Sequence, residues 1–157
     1  WCRSDCRRGC AVWVRCVSAV VAKVGVLRAV KDSVFYLGIG FLFTHELDAM
    51  PNHEWRVLPL LRALEDSVGE PVFVVAHVPL FAIVIALVAS LNAKRRTVSR
   101  IIVSAFLVVH VLLHWLFSGD PHYDFNSLLS SVLIFGAGIC GAAYLLLEWR
   151  AGDTVDS

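Results

Sequence analysis

Six histidines and a few carboxylates interrupt a chain that is otherwise strongly apolar. The densest group is His45-Glu46-Leu47-Asp48, which closes the apolar run Phe41-Leu42-Phe43-Thr44. His77 stands alone, His110 and His114 form a pair, and Asp120, His122 and Asp124 share one short polar stretch. Imidazoles and carboxylates are the usual ligands of zinc and common general bases. His110 and His114, at i and i+4, fall on one helix face, the spacing with which a helix offers two imidazoles to one metal. The alternative for such a pair is hydrogen bonding to backbone carbonyls of neighbouring helices.

His45 and Asp48, at i and i+3, also share a face, whereas Glu46 diverges from His45 by about 100°. His45 and Asp48 therefore read as ligands and Glu46 as a base facing elsewhere. The expected centre draws on His77, His110 and His114 with His45 or Asp48, and His122 is a further candidate. Zinc is the first expectation and iron the second. Three protein ligands would leave a position for water, whose pKa zinc lowers towards neutrality. The reaction class would be hydrolysis of a lipid-like substrate entering from the bilayer. The rival reading is non-enzymatic: the histidines bind metal, handle protons or only pack, with His77 beside the Pro79 kink and His122 as a loop residue. His53 and Glu54 read as interfacial. There is no Gly-rich phosphate loop, no G-x-S-x-G elbow and no H-E-x-x-H.

The elements that must position these groups are membrane helices. Hydrophobic residues make up 58% of the chain and charged ones 17%, a shift away from soluble composition. Mean hydropathy is +0.71. A net charge of +1 argues against a nucleic-acid binder. The expected architecture is all-α: a four-transmembrane-helix bundle with a short interfacial amphipathic helix between spans one and two. Asp32-Ser33 caps span one, which runs to Met50 and covers about 27 Å at 1.5 Å per residue. Residues 52–68, with Trp55, Val57, Leu58, Leu61 and Leu64 at helical spacing, make the interfacial helix. Gly69-Glu70-Pro71 breaks it, and span two covers 71–91. Arg100 opens span three, 101–117. Asn126 or Ser127 caps span four, 128–147, whose Gly136, Gly138, Gly141, Ala142 and Ala143 suit close helix approach in lipid. Residues 149–157 form a short tail.

Residues 1–32 are basic and hold Cys2, Cys6, Cys10 and Cys16 without a C-x-x-C pair, so they do not read as a zinc or redox motif. They are expected to be an extension outside the membrane domain of residues 33–148. Twelve of the 14 Lys and Arg fall on the side of the two termini. The positive-inside rule then makes both termini cytoplasmic. All six histidines map to the opposite, outer side. The only partners expected are the bilayer and a lipid-like substrate; oligomeric state is open.

Phe35-Tyr36-Leu37-Gly38, Phe43-Thr44-His45-Glu46-Leu47-Asp48-Ala49 and His53-Glu54-Trp55-Arg56-Val57-Leu58-Pro59 resemble the signature of a family of small uncharacterised bacterial four-helix membrane proteins. Ala76-His77-Val78-Pro79-Leu80-Phe81, His110, His114 and Tyr123-Asp124-Phe125-Asn126-Ser127 fit the same resemblance, which covers residues 33–148. It implies a four-helix fold in the bacterial inner membrane and carries no activity. The ligand types are also similar to those of zinc-dependent membrane amidases of the alkaline ceramidase type. His45-Glu46-Leu47-Asp48 lacks the paired glutamates of the HXXEE family.

Overall fold

The computed structural model describes the backbone of residues 3–153 and the side chains of residue 22 and residues 25–151. Cys2, Cys6, Cys10 and Cys16 lie outside the described side chains. Two compact units divide the chain, residues 1–33 and 34–157. The first is helical from Arg3 onward. The second holds the bundle and every residue of the candidate site.

Among the described residues the regular elements are all helical: α1 (Arg3–Ala49), α2 (Asp66–Val88), α3 (Ala93–Phe117) and α4 (Leu128–Asp153), with a 3-10 turn at Glu54–Arg56. Sequence chemistry sets the ends. Asn52 donates its side-chain amide to the Asp48 carbonyl at 2.6 Å, satisfying an orphan acceptor at the end of α1. Asn92 caps α3 by accepting from Arg95 N at 2.9 Å. Ser127 Oγ accepts from Ser130 N at 2.9 Å ahead of α4. Residues 89–92 are too few for anything but a reversal, so α2 and α3 run antiparallel.

Glycine brings the helices together where lipid supplies no hydrophobic drive between them. A Cβ on Gly141 of α4 would stand 2.6 Å from the Ser104 carbonyl oxygen and 2.9 Å from Leu107 Cβ of α3. A Cβ on Gly138 would collide with Val111, and Gly136 receives the ring of Phe41. The three glycines of the fourth helix therefore act as contact points, as their spacing predicts, whereas Ala142 of the same expected set is exposed.

Three helices are long and apolar enough to cross a membrane: Asp66–Val88, Ala93–Phe117 and Leu128–Ala151. Their outer faces expose Val, Leu, Ile and Phe throughout, as a lipid-facing surface would. The end of α1 is not among them: the apolar run between Lys31-Asp32 and Glu46-Leu47-Asp48 is too short to reach such a length without those charges.

Four local expectations are corrected. Asp32-Ser33 caps no helix start, because α1 runs unbroken from Arg3 to Ala49. No amphipathic helix spans 52–68; apart from the turn at Glu54–Arg56 the connector is irregular as far as Glu65. Pro51 precedes the segment and Pro59 lies within it, and neither can donate a backbone hydrogen bond. His53 takes a left-handed backbone (φ 50°). Trp55 and Val57, expected at the interface, are buried instead. Gly69-Glu70-Pro71 is no break either. It lies in the first two turns of α2, where a Cβ on Gly69 would come within 3.0 Å of the Trp55 ring. Arg100 does not open the third helix. That helix begins at Ala93, and Arg100 is buried under it, donating to Tyr36 Oη at 2.8 Å with its guanidinium 5.0 Å from the Phe35 ring.

Candidate metal centre

α1 and α3 deliver the central residues. His45 lies in the last two turns of α1 and is fully buried; His110 and His114 lie one turn apart in the second half of α3, both buried. One ligand atom from each falls within 4.8 Å of the other two. His114 Nε2 is 3.1 Å from His45 Nε2 and 3.2 Å from His110 Nε2. Two nitrogens bound tetrahedrally to one zinc at 2.0–2.1 Å would be about 3.3 Å apart. Two of the three edges of the triad thus match a metal polyhedron before any ion is added.

Proton counting favours the same reading. A ring nitrogen carries one proton or one lone pair. His114 Nε2 faces two other ring nitrogens at hydrogen-bond distance and can satisfy only one of them well. A cation at the centre would accept all three lone pairs. The far side of His114 accommodates that tautomer: with Nε2 unprotonated, Nδ1–H would donate to Tyr123 Oη, 3.1 Å away. A hydrogen bond behind a ligating imidazole fixes its tautomer and its aim. Phe125, itself buried, closes the cluster, with its ring 4.9 Å from that of His114 and 5.3 Å from that of His45.

Glu54 completes the group from the 3-10 turn. Its Oε2 is 3.8 Å from His45 Nε2, is buried, and makes no hydrogen bond among the described residues. Burial first, then the charges of Glu46 and Asp48, push its carboxyl up to about 8. With no cation beside it the group is then mainly the neutral acid at pH 7; a cation held by the triad would favour its carboxylate form. Burial and the nearby Glu54 also raise the Tyr123 hydroxyl above its ordinary value.

The other expected residues are placed as follows. Glu46 points away from His45, as the helix angle requires, and pairs with His77, Oε2 to Nε2 at 2.9 Å. His77 Nδ1–H donates to Phe73 O at 2.7 Å, and the ring packs between Phe73 and Phe81. His77 is therefore outside the triad, although it borders the same cavity. Asp48 is not in the cluster either; its Oδ2 is buried without a hydrogen-bond partner among the described residues. His122, largely exposed, is tied to Asp120 at 3.2 Å. Its backbone N–H, then its side chain, hold the Asp120 carboxyl below its ordinary range. Asp120 also meets Arg62 at 3.5 Å, which links the connectors 50–65 and 118–127 over this end of the bundle.

Glu54 and Tyr123 are the groups that sequence reasoning passed over as site residues. The available signal was Pro51 and Pro59 around Glu54-Trp55, which disfavour a regular helix there where no neighbouring helix packs around the prolines. A cavity of about 340 Å³ borders the cluster, lined by Glu46, Glu54, His77, His110, His114 and Tyr123 together with apolar residues of α2, α3 and the connector.

Residues 31–151 match a family of unknown function, DUF6713. The match covers well over half of the chain, which therefore belongs to that family. No curated protein and no solved structure matches the chain.

Proposed function

We propose that this member of the DUF6713 family is an integral membrane enzyme whose His45–His110–His114 triad binds zinc and hydrolyses an acyl ester or amide of a lipid-like molecule. The observation that carries the reading is the convergence of three buried imidazoles whose Nε2 contacts, 3.1 and 3.2 Å, match a tetrahedral edge. Iron fits the same ligands less specifically. Three imidazoles leave zinc a position for water and the means to polarise a carbonyl.

Glu54 is then the base beside the metal. It takes a proton from the attacking water while the water oxygen bonds to the acyl carbon. The bond from that carbon to the ester oxygen or amide nitrogen breaks, and Glu54 returns the proton to the leaving atom. Glu46, the base expected from the sequence, sits across the cavity with His77, where the pair can bind the polar part of the substrate.

In this reading the Val34–Ala49 part of α1 is the fourth span, paired with α3 and α4. Both termini face the cytoplasm of a bacterial inner membrane, on the strength of the Lys and Arg distribution. A second reading has one observation behind it. Glu54 Oε2, 3.8 Å from His45 Nε2, is near enough to become a fourth ligand, which would close the site and make it structural or metal-carrying. The Glu54→Gln variant separates the two. In the hydrolase reading it retains zinc and loses roughly 10²–10⁴-fold of turnover on a panel of fluorogenic acyl esters and amides. Loss of zinc with Glu54→Gln would favour the closed site.

A further inference from the structure

The cavity beside the triad is asymmetric along the bundle. Val72, Ala76 and Leu80 of α2 recur every four residues, and Phe106, His110, Leu113 and Phe117 of α3 do so every three or four, so each helix turns one face to the cavity. The polar groups Glu54, His110, His114 and Tyr123 belong to the end where the two long connectors meet. Leu80 follows His77 along α2, and Phe106 precedes His110 along α3. In these antiparallel helices both steps lead towards the middle of the bundle. The cavity therefore has a polar end at the candidate metal centre and an apolar end at mid-membrane depth.

It also has an open side. Val72, Leu80, Phe106 and Leu113 line the cavity and are still 38–50% exposed. Its walls are thus part of the outer surface between α2 and α3. α2 is the most loosely seated of the three apolar helices: 11% of its most apolar stretch is buried, against 44% for α4. A gap between apolar helices inside a bilayer exchanges its contents with acyl chains. The volume, about 340 Å³, is near the bottom of the roughly 300–1,000 Å³ range of ligand cavities, which leaves room for one chain within the cavity.

We infer that the space between α2 and α3 is a lateral portal for a single alkyl chain, so that the substrate class is a one-chain acyl amphiphile. Its tail lies between Leu80 and Phe106, and its ester or amide carbonyl reaches His110, His114 and Glu54. The identity of that head rests on the metal-hydrolase reading; the portal and the single chain rest on the cavity alone.

The test uses the full chain in lipid nanodiscs. Two photoreactive probes are compared: a monoacylglycerol with a mid-chain diazirine, and a diacyl phosphatidylcholine with the same group. Zinc per chain is measured in parallel. The one-chain probe should label peptides containing Leu80 and Phe106 saturably, with excess unlabelled monoacylglycerol as competitor. Ala76→Trp, and independently Leu113→Trp from the facing helix, should abolish that labelling while zinc content stays unchanged. Labelling that does not saturate, or that survives both plugs, overturns the portal. Saturable labelling by the diacyl probe at the same peptides overturns the single-chain assignment. Wild-type protein without zinc that still labels saturably overturns the metal reading and leaves the portal standing.

Discussion

The two ends of the bundle bury polar groups in opposite ways. Near the start of α3, Arg100 is enclosed, yet it donates to Tyr36 Oη and lies against the rings of Phe35 and Tyr36. Near the end of α3, His110 and His114 are equally enclosed, but their Nε2 atoms face each other and His45, with the unbonded Glu54 Oε2 alongside. A cavity opens beside the histidines. A buried polar group that is provided with partners holds helices in place. A buried cluster whose facing nitrogens cannot all satisfy one another, next to a cavity, is the place where the proposed metal and substrate would be held.

The contrast can be broken in both directions. Arg100→Leu removes a donor and strands its acceptors, so it should cost about 2–4 kcal/mol of stability, read as a lower thermal midpoint in detergent, with metal content unchanged. A variant that melts like the wild type but loses metal would reverse the roles of the two ends. Tyr123→Phe acts only at the other end. It removes the acceptor behind His114 and should weaken metal affinity roughly 10–100-fold in a chelator competition, with little change in melting of the metal-free protein. Unchanged affinity would reduce Tyr123 to packing. Asp66→Asn weakens the half-exposed ion pair with Arg56 and should leave the thermal midpoint almost unchanged without touching metal. A large loss would mean that the order of the 50–65 connector, and hence the position of Glu54, hangs on that pair.

The helices were legible in the sequence because apolar length and capping residues set them locally. Ser127 caps where its type allows, and Gly138 and Gly141 mark the closest helix approach, whereas the Asn92 cap of α3 was passed over in favour of Arg100. The i, i+4 spacing of His110 and His114 and the angular divergence of His45 from Glu46 were legible for the same reason. What was not legible depended on tertiary placement. Periodicity in 52–68 suggested a helix, but Pro51, Pro59 and the burial of Trp55 against α2 overrode it, and that is what carries Glu54 to His45. Whether His45 or His77 joins the α3 pair depends on which neighbouring helix lies closer to that face. No local pattern encodes that. His77 instead pairs with Glu46, a residue 31 positions away. Arg100 looked like a boundary charge because a lone arginine between apolar runs usually is; the aromatic pair from α1 and the Val88 carbonyl, 3.4 Å from Nε, help make its burial tolerable.

The central claim is that the triad is a metal centre, and metal content is its most direct measure. Wild-type protein purified in detergent under metal-replete conditions and the His110→Ala/His114→Ala variant would be compared by elemental analysis, with circular dichroism to confirm that both are helical. One zinc or iron per folded wild-type chain, absent from the folded variant, is the expected result. A folded wild type that binds neither metal, with the three histidines intact, would contradict it.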